Sequence, residues 1–91
     1  MFKILIAEDD AELRQLFSRV LTKNGYNVKG VSNGREALDC TENDFFDLII
    51  SDIMMPEVDG YEFVRLLRDC NDKTPVLMIT AKDAFDDMRQ G

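Results

Sequence analysis

Four short apolar runs, separated by longer amphipathic stretches, constrain this chain more than any other feature of its sequence. Lys3-Ile4-Leu5-Ile6-Ala7 is aliphatic, rich in β-branched residues and too short for a buried helix, so it reads as a buried strand. Tyr26 to Val31 alternates polar and apolar positions, as a strand with one wetter face does. Asp47-Leu48-Ile49-Ile50-Ser51 is a third strand with a centre apolar enough for burial on both faces, and Val76-Leu77-Met78-Ile79 is a fourth. The stretches between follow helical spacing. Leu13, Leu16, Phe17, Val20 and Leu21 form one apolar stripe, which Asn24-Gly25 ends, glycine being free to take positive φ. Arg35 to about Asn43 is a weaker helix with Ala37, Leu38 and Thr41 facing inward. Pro56 blocks an early helix start, and Asp59 or Gly60 opens a helix whose stripe is Phe63, Val64 and Leu67, extended by Cys70. Asp83 to Gln90 has the pattern of a helix opening, with Phe85 and Met88 on one face.

Strict β-α alternation implies a parallel sheet with helices on both faces, a three-layer α/β sandwich. Two strand orders are common in such folds. The dinucleotide-binding order needs a glycine-rich turn after the first strand; here that turn is Glu8-Asp9-Asp10, which would repel a pyrophosphate. The flavodoxin-like order, 2-1-3-4 for these four strands, is therefore expected. At 91 residues the chain fits one domain spanning 1–91, without internal repeat or linker.

Composition narrows the partners. A formal net charge of -7 disfavours direct contact with nucleic acid or an anionic membrane and favours a bound cation or a basic protein surface. No apolar stretch approaches the ~20 residues that span a bilayer, and Met1-Phe2-Lys3 does not open a signal peptide. Cys40 and Cys70 match no metal spacing, so a cytoplasmic chain with two free thiols is expected. Histidine is absent, which removes the commonest general base and the commonest zinc ligand.

Open α/β sheets bind ligands beyond the carboxyl ends of their strands, where the strand order reverses. In order 2-1-3-4 that point lies between strands one and three. Strand one ends at Glu8-Asp9, strand three at Asp52 and strand four at Thr80, so three carboxylates and a hydroxyl are expected at one crevice. Clustered carboxylates repel, and need protonation or a cation. The available ligands are oxygens, which suit magnesium shared with a phosphate. A carboxylate beside that ion can attack a phosphoryl group and become an aspartyl phosphate. Each residue also has a plainer explanation. Acids before a helix are commonly caps, and Asp10 ahead of Ala11-Glu12-Leu13 is assigned that role; an acid or a hydroxyl at a strand end is commonly a turn residue. Their joint placement favours the ligand reading for Glu8, Asp9 and Asp52.

Three segments then resemble a known family. Ile4-Leu5-Ile6-Ala7-Glu8-Asp9-Asp10, Asp52-Ile53-Met54-Met55-Pro56-Glu57-Val58-Asp59-Gly60 and Pro75-Val76-Leu77-Met78-Ile79-Thr80-Ala81 resemble the CheY-like receiver domain of bacterial two-component response regulators. The resemblance covers the whole chain. It implies that Asp52 accepts a phosphoryl group from a sensor histidine kinase. Asp9 would bind Mg2+ directly, Glu8 largely through water, and Met54 through its backbone carbonyl. Thr80 would turn its hydroxyl toward the phosphate as the first move of a switch, while Pro56 and Gly60 shape the adjoining loop. The wording is most similar to regulators with a winged-helix DNA-binding output domain, which implies transcriptional control by the parent protein. Arg14 and Arg19, taken as exposed on the first helix, are expected to meet the kinase.

Receivers continue with a fifth strand carrying a phosphate-contacting lysine, preceded by an aromatic switch residue and followed by a helix; Lys82 does not stand in that lysine's place. The chain is therefore expected to be a receiver lacking its fifth strand and helix. A bare fourth strand, apolar surface around Val76, Met78, Phe85 and Met88, and self-association are expected consequences. Two rival functions are weaker. Aspartate-dependent phosphohydrolases resemble a D-x-D pattern, and here Met54 occupies the second acid's place. An unphosphorylated receiver-like scaffold would not need the acids and Thr80. No enzymatic turnover is expected.

Overall fold

The computed structural model describes residues 2–79. The elements run β1 (Lys3–Ala7), α1 (Ala11–Lys23), β2 (Asn27–Val31), α2 (Gly34–Asn43), β3 (Leu48–Asp52), α3 (Gly60–Asp69) and β4 (Val76–Ile79). All pairings are parallel, in the order β2-β1-β3-β4. This is the flavodoxin-like order, with α2 and α3 packed together on one face and α1 over β1 and β2 on the other.

Strand parity builds the core. Leu5, Ala7 and Ile49 point toward α2 and α3, where they pack with Ala37, Phe63 and Leu67. Ile4 and Ile6, also fully buried, occupy the alternate positions of β1 and face the other side. Burial on both faces explains why β1 is apolar throughout Ile4 to Ala7.

The helix ends follow the sequence signals. Asp10 caps α1, its carboxylate accepting from the Glu12 and Leu13 N–H groups at 3.0 and 3.3 Å. Asn33 and Asp59 cap α2 and α3 in the same manner. At the end of α1, Gly25 has φ of 92° and the Tyr26 N–H reaches the Leu21 carbonyl, closing a left-handed cap. Asn71, with φ of 66°, closes α3 in the same way.

The structure departs from the sequence reading at four places. Tyr26 belongs to the cap of α1, and β2 begins at Asn27. Cys70 caps α3 and is exposed, so it does not extend the buried stripe. No residue of α1 is fully buried, and Leu16 and Val20 remain about half exposed. Finally, Val76 packs against the core, and the exposed residue of β4 is Leu77. Val76 and Met78 share the α2–α3 face and are part-buried there; Leu77 and Ile79 share the α1 face, and Leu77 is the exposed residue of the four. Phe85 and Met88 lie outside the described residues.

Candidate functional site

Sheet register creates the site. Ala7 pairs with Val31 on one side and Ser51 on the other, so the residues that follow, Glu8 and Asp52, leave adjacent strands at the same level. The Glu8 N–H extends the β1–β2 ladder by donating to the Val31 carbonyl at 3.0 Å. Asp52 is the last residue of β3 and pairs with Ile79 of β4.

Glu8 and Asp52 are fully buried, and Asp9 is half-buried beside them. One carboxylate oxygen from each lies within 4.8 Å of the others. Backbone groups orient two of these side chains. The Asp10 N–H donates to Glu8 Oε2 at 2.9 Å, and the Met54 N–H donates to Asp52 Oδ1 at 3.3 Å. The donor set consists of carboxylate oxygens, two of them buried and that of Asp9 half-buried, which is the chemistry that Mg2+ selects, and the 4.8 Å spread suits one ion held partly through water. The residues present therefore fit a hard divalent cation, which would also offset the mutual repulsion of three carboxylates.

The loop from Ile53 to Asp59 forms the neighbouring wall. Met54 is exposed and Met55 is tucked into the core, so consecutive methionines serve opposite sides of the loop. Pro56, Met54 and Tyr61 line an open groove that reaches Asp9. The loop is pinned at both ends, by the Gly60 N–H donating to the Ile53 carbonyl at 2.8 Å and the Gly34 N–H donating to the Val58 carbonyl at 3.2 Å.

Of the residues named from sequence, Glu8, Asp9 and Asp52 are brought together and Met54 stands beside them. Thr80 lies outside the described residues, one position beyond the partner of Asp52 in β4. Arg14 differs from expectation. It is half-buried, and its Nη1 donates to the Glu8 carbonyl at 2.7 Å, so it is committed to the site's own backbone. Arg19 is exposed. Sequence reasoning passed over the inward role of Arg14 because the residue sits beside the apolar stripe with nothing to mark the bond it makes. Gly30, which leaves room for its stem, lies on another element, and nothing in the sequence pairs the two.

Residues 4–91 match the family described as response regulator receiver domain. Response regulator MprA of Mycolicibacterium vanbaalenii is 40% identical over 89 residues, which are 98% of this chain and 38% of that protein. The chain thus spans well under half the length of that curated relative. Among solved structures, chemotaxis protein CheY4 of Vibrio cholerae superposes with a TM-score of 0.81 at 41% identity, covering 86% of this chain and 67% of that one. The response regulator TrrA of Thermotoga maritima, in complex with Mg2+–BeF, superposes with a TM-score of 0.76 at 32% identity, covering 86% and 66%.

Proposed function

The chain belongs to the response regulator receiver domain family of two-component systems, and on that premise we propose that Asp52 is the phosphoacceptor of a Mg2+-dependent phosphotransfer from a sensor histidine kinase. The observation that carries this reading is the convergence of Glu8, Asp9 and Asp52 oxygens within 4.8 Å at the carboxyl edge of the sheet. The Mg2+–BeF complex of TrrA, a relative of the same fold, supports the same chemistry here.

The residues divide the work. Asp9 and Asp52 would hold the ion directly, Glu8 largely through water, and the Met54 carbonyl would supply a further oxygen. When bound, Mg2+ supplies positive charge that offsets the carboxylates and the incoming phosphoryl oxygens. Asp52 carries out the covalent step: a carboxylate oxygen forms a bond to phosphorus as the P–N bond of the kinase's phosphohistidine breaks, and the imidazole leaves with that electron pair. The Met54 N–H steadies Oδ1 and so fixes the plane of the attacking carboxylate. Thr80 then donates its hydroxyl to the new phosphate, which starts the switch.

The partners are a cytoplasmic histidine kinase domain and an output domain of the parent protein, which we take to be DNA-binding and transcriptional. The chain itself is an acceptor without turnover. An aspartate-dependent phosphohydrolase would need an acid where Met54 stands.

The test is a mass measurement on the chain after incubation with Mg2+ and acetyl phosphate. A gain of one phosphoryl group is expected, abolished by Asp52→Asn and by chelating the metal. No gain in the wild-type chain, or an equal gain in Asp52→Asn, overturns the proposal.

A further inference from the structure

The main chain of Glu8 is held on both sides, through the two peptide planes that flank it. Its N–H donates to Val31 of β2 at 3.0 Å, and its carbonyl accepts from Arg14 of α1 at 2.7 Å. The carbonyl is shared by the peptide plane joining Glu8 to Asp9, so rotating that plane would re-aim both acids at once. Arg14 reaches the carbonyl by laying its stem across β2. A Cβ at Gly30 would stand 3.1 Å from Arg14 Cγ and 3.2 Å from Cδ, closer than a side chain there allows without displacement. Gly30 thus leaves the channel through which the guanidinium passes.

We propose that Arg14 is a positioning residue for the metal site, locking the Glu8–Asp9 peptide by its bond to the Glu8 carbonyl, and that Gly30 is the residue that admits it. The inference rests on the Mg2+ reading of the acidic cluster. Arg14 acts in two opposed ways. As a cation beside a cation site, it weakens Mg2+ binding through Coulomb repulsion. As a donor of a charge-assisted hydrogen bond, it holds two ligands in position and strengthens binding. The short bond and the half-buried stem favour the second effect, so losing Arg14 lowers affinity even though a positive charge is removed.

The opposed signs make the test decisive. Mg2+ affinity is measured by titration calorimetry on the chain, with amide exchange at Asp10 as a metal-independent reading of the loop, since that N–H donates to Glu8 Oε2. Arg14→Ala is expected to weaken Mg2+ binding about tenfold, the scale on which partners of metal ligands act, and to speed Asp10 exchange. Arg14→Lys, which keeps the charge and one donor, is expected to restore part of the affinity. Gly30→Val is expected to reproduce the Arg14→Ala loss without altering a charge. The double variant is expected to be no worse than Arg14→Ala alone, because both act through one contact. Unchanged or tighter binding in Arg14→Ala with normal Asp10 exchange overturns the inference. Additive losses in the double variant overturn the Gly30 part. If the wild-type chain binds no Mg2+, the proposed function fails first; unaltered Asp10 exchange in Arg14→Ala then overturns the lock as well.

Discussion

Gly60, the first residue of α3, shows how closely the scaffold approaches Asp52. A Cβ at this position would lie 2.4 Å from the Asp52 carbonyl oxygen and 2.8 Å from Met78 Cε. The methionine end can move; the Asp52 backbone cannot move without shifting the carboxylate. Gly60→Ala is therefore expected to cost about 1–3 kcal/mol, the usual range for forcing atoms into a packed region. It should also slow phosphorylation of Asp52 beyond what lost stability explains. Urea unfolding and the mass-gain rate check the two effects separately. From sequence, Asp59 or Gly60 opens a helix and the family resemblance gives Gly60 a part in shaping the loop, and Asp59 does cap α3. The need for glycine comes from a strand end nearby in space, which no local pattern records.

Among the elements, the start of α2 carries the clearest pH dependence. Asn33 Oδ1 accepts from the Glu36 N–H at 2.8 Å, and the Glu36 carboxylate reaches back to Ser32, accepting from its hydroxyl and from its N–H. The Ser32 hydroxyl, followed by its N–H, holds the Glu36 carboxyl below its ordinary value of 4.5. A carboxyl with a depressed folded-state pKa stabilises the fold above its unfolded value, and that contribution disappears as pH falls through the folded value. Glu36→Gln should therefore be less stable than wild type at neutral pH. The gap should close on acidification below 4.5. Denaturant midpoints for both proteins across that range check the sign; a gap that widens in acid would refute the assignment. The group is exposed and screened, so the effect is small.

At the scale of the whole molecule, α1 is the only described helix on its face of the sheet, and it lies over β1 and β2. Leu16, Phe17 and Val20 above, with Ile50, Leu77 and Ile79 below, enclose a wholly apolar groove of about 420 Å3. Apolar surface gathered in one groove costs free energy in water and favours burial. The 91-residue chain is accordingly expected to associate at high concentration through this face. Leu77→Lys, on an exposed position of β4, should shift sedimentation toward the monomer while leaving the midpoint of thermal unfolding nearly unchanged. A wild-type chain that remains monomeric at high concentration would contradict this. The sequence led to expected exposure at Val76 and Met78, one residue out of phase with the finding. In a strand, a shift of one position exchanges the two faces.

Local chemistry determines much of this protein independently of any tertiary contact. Apolar runs of strand length, helical stripes, caps at Asp10 and Asp59, and the Asn24-Gly25 stop each depend on neighbours in sequence, so they can be read there. The strand order, and with it the meeting of Glu8, Asp9 and Asp52, was also within reach, because parallel connectivity leaves few arrangements. Tertiary structure decided which face of each strand is covered, since that depends on where α1 settles across the sheet. It also turned Arg14 inward: a long side chain chooses between water and a buried carbonyl according to the space left for it, and here Gly30, on another element, leaves that space.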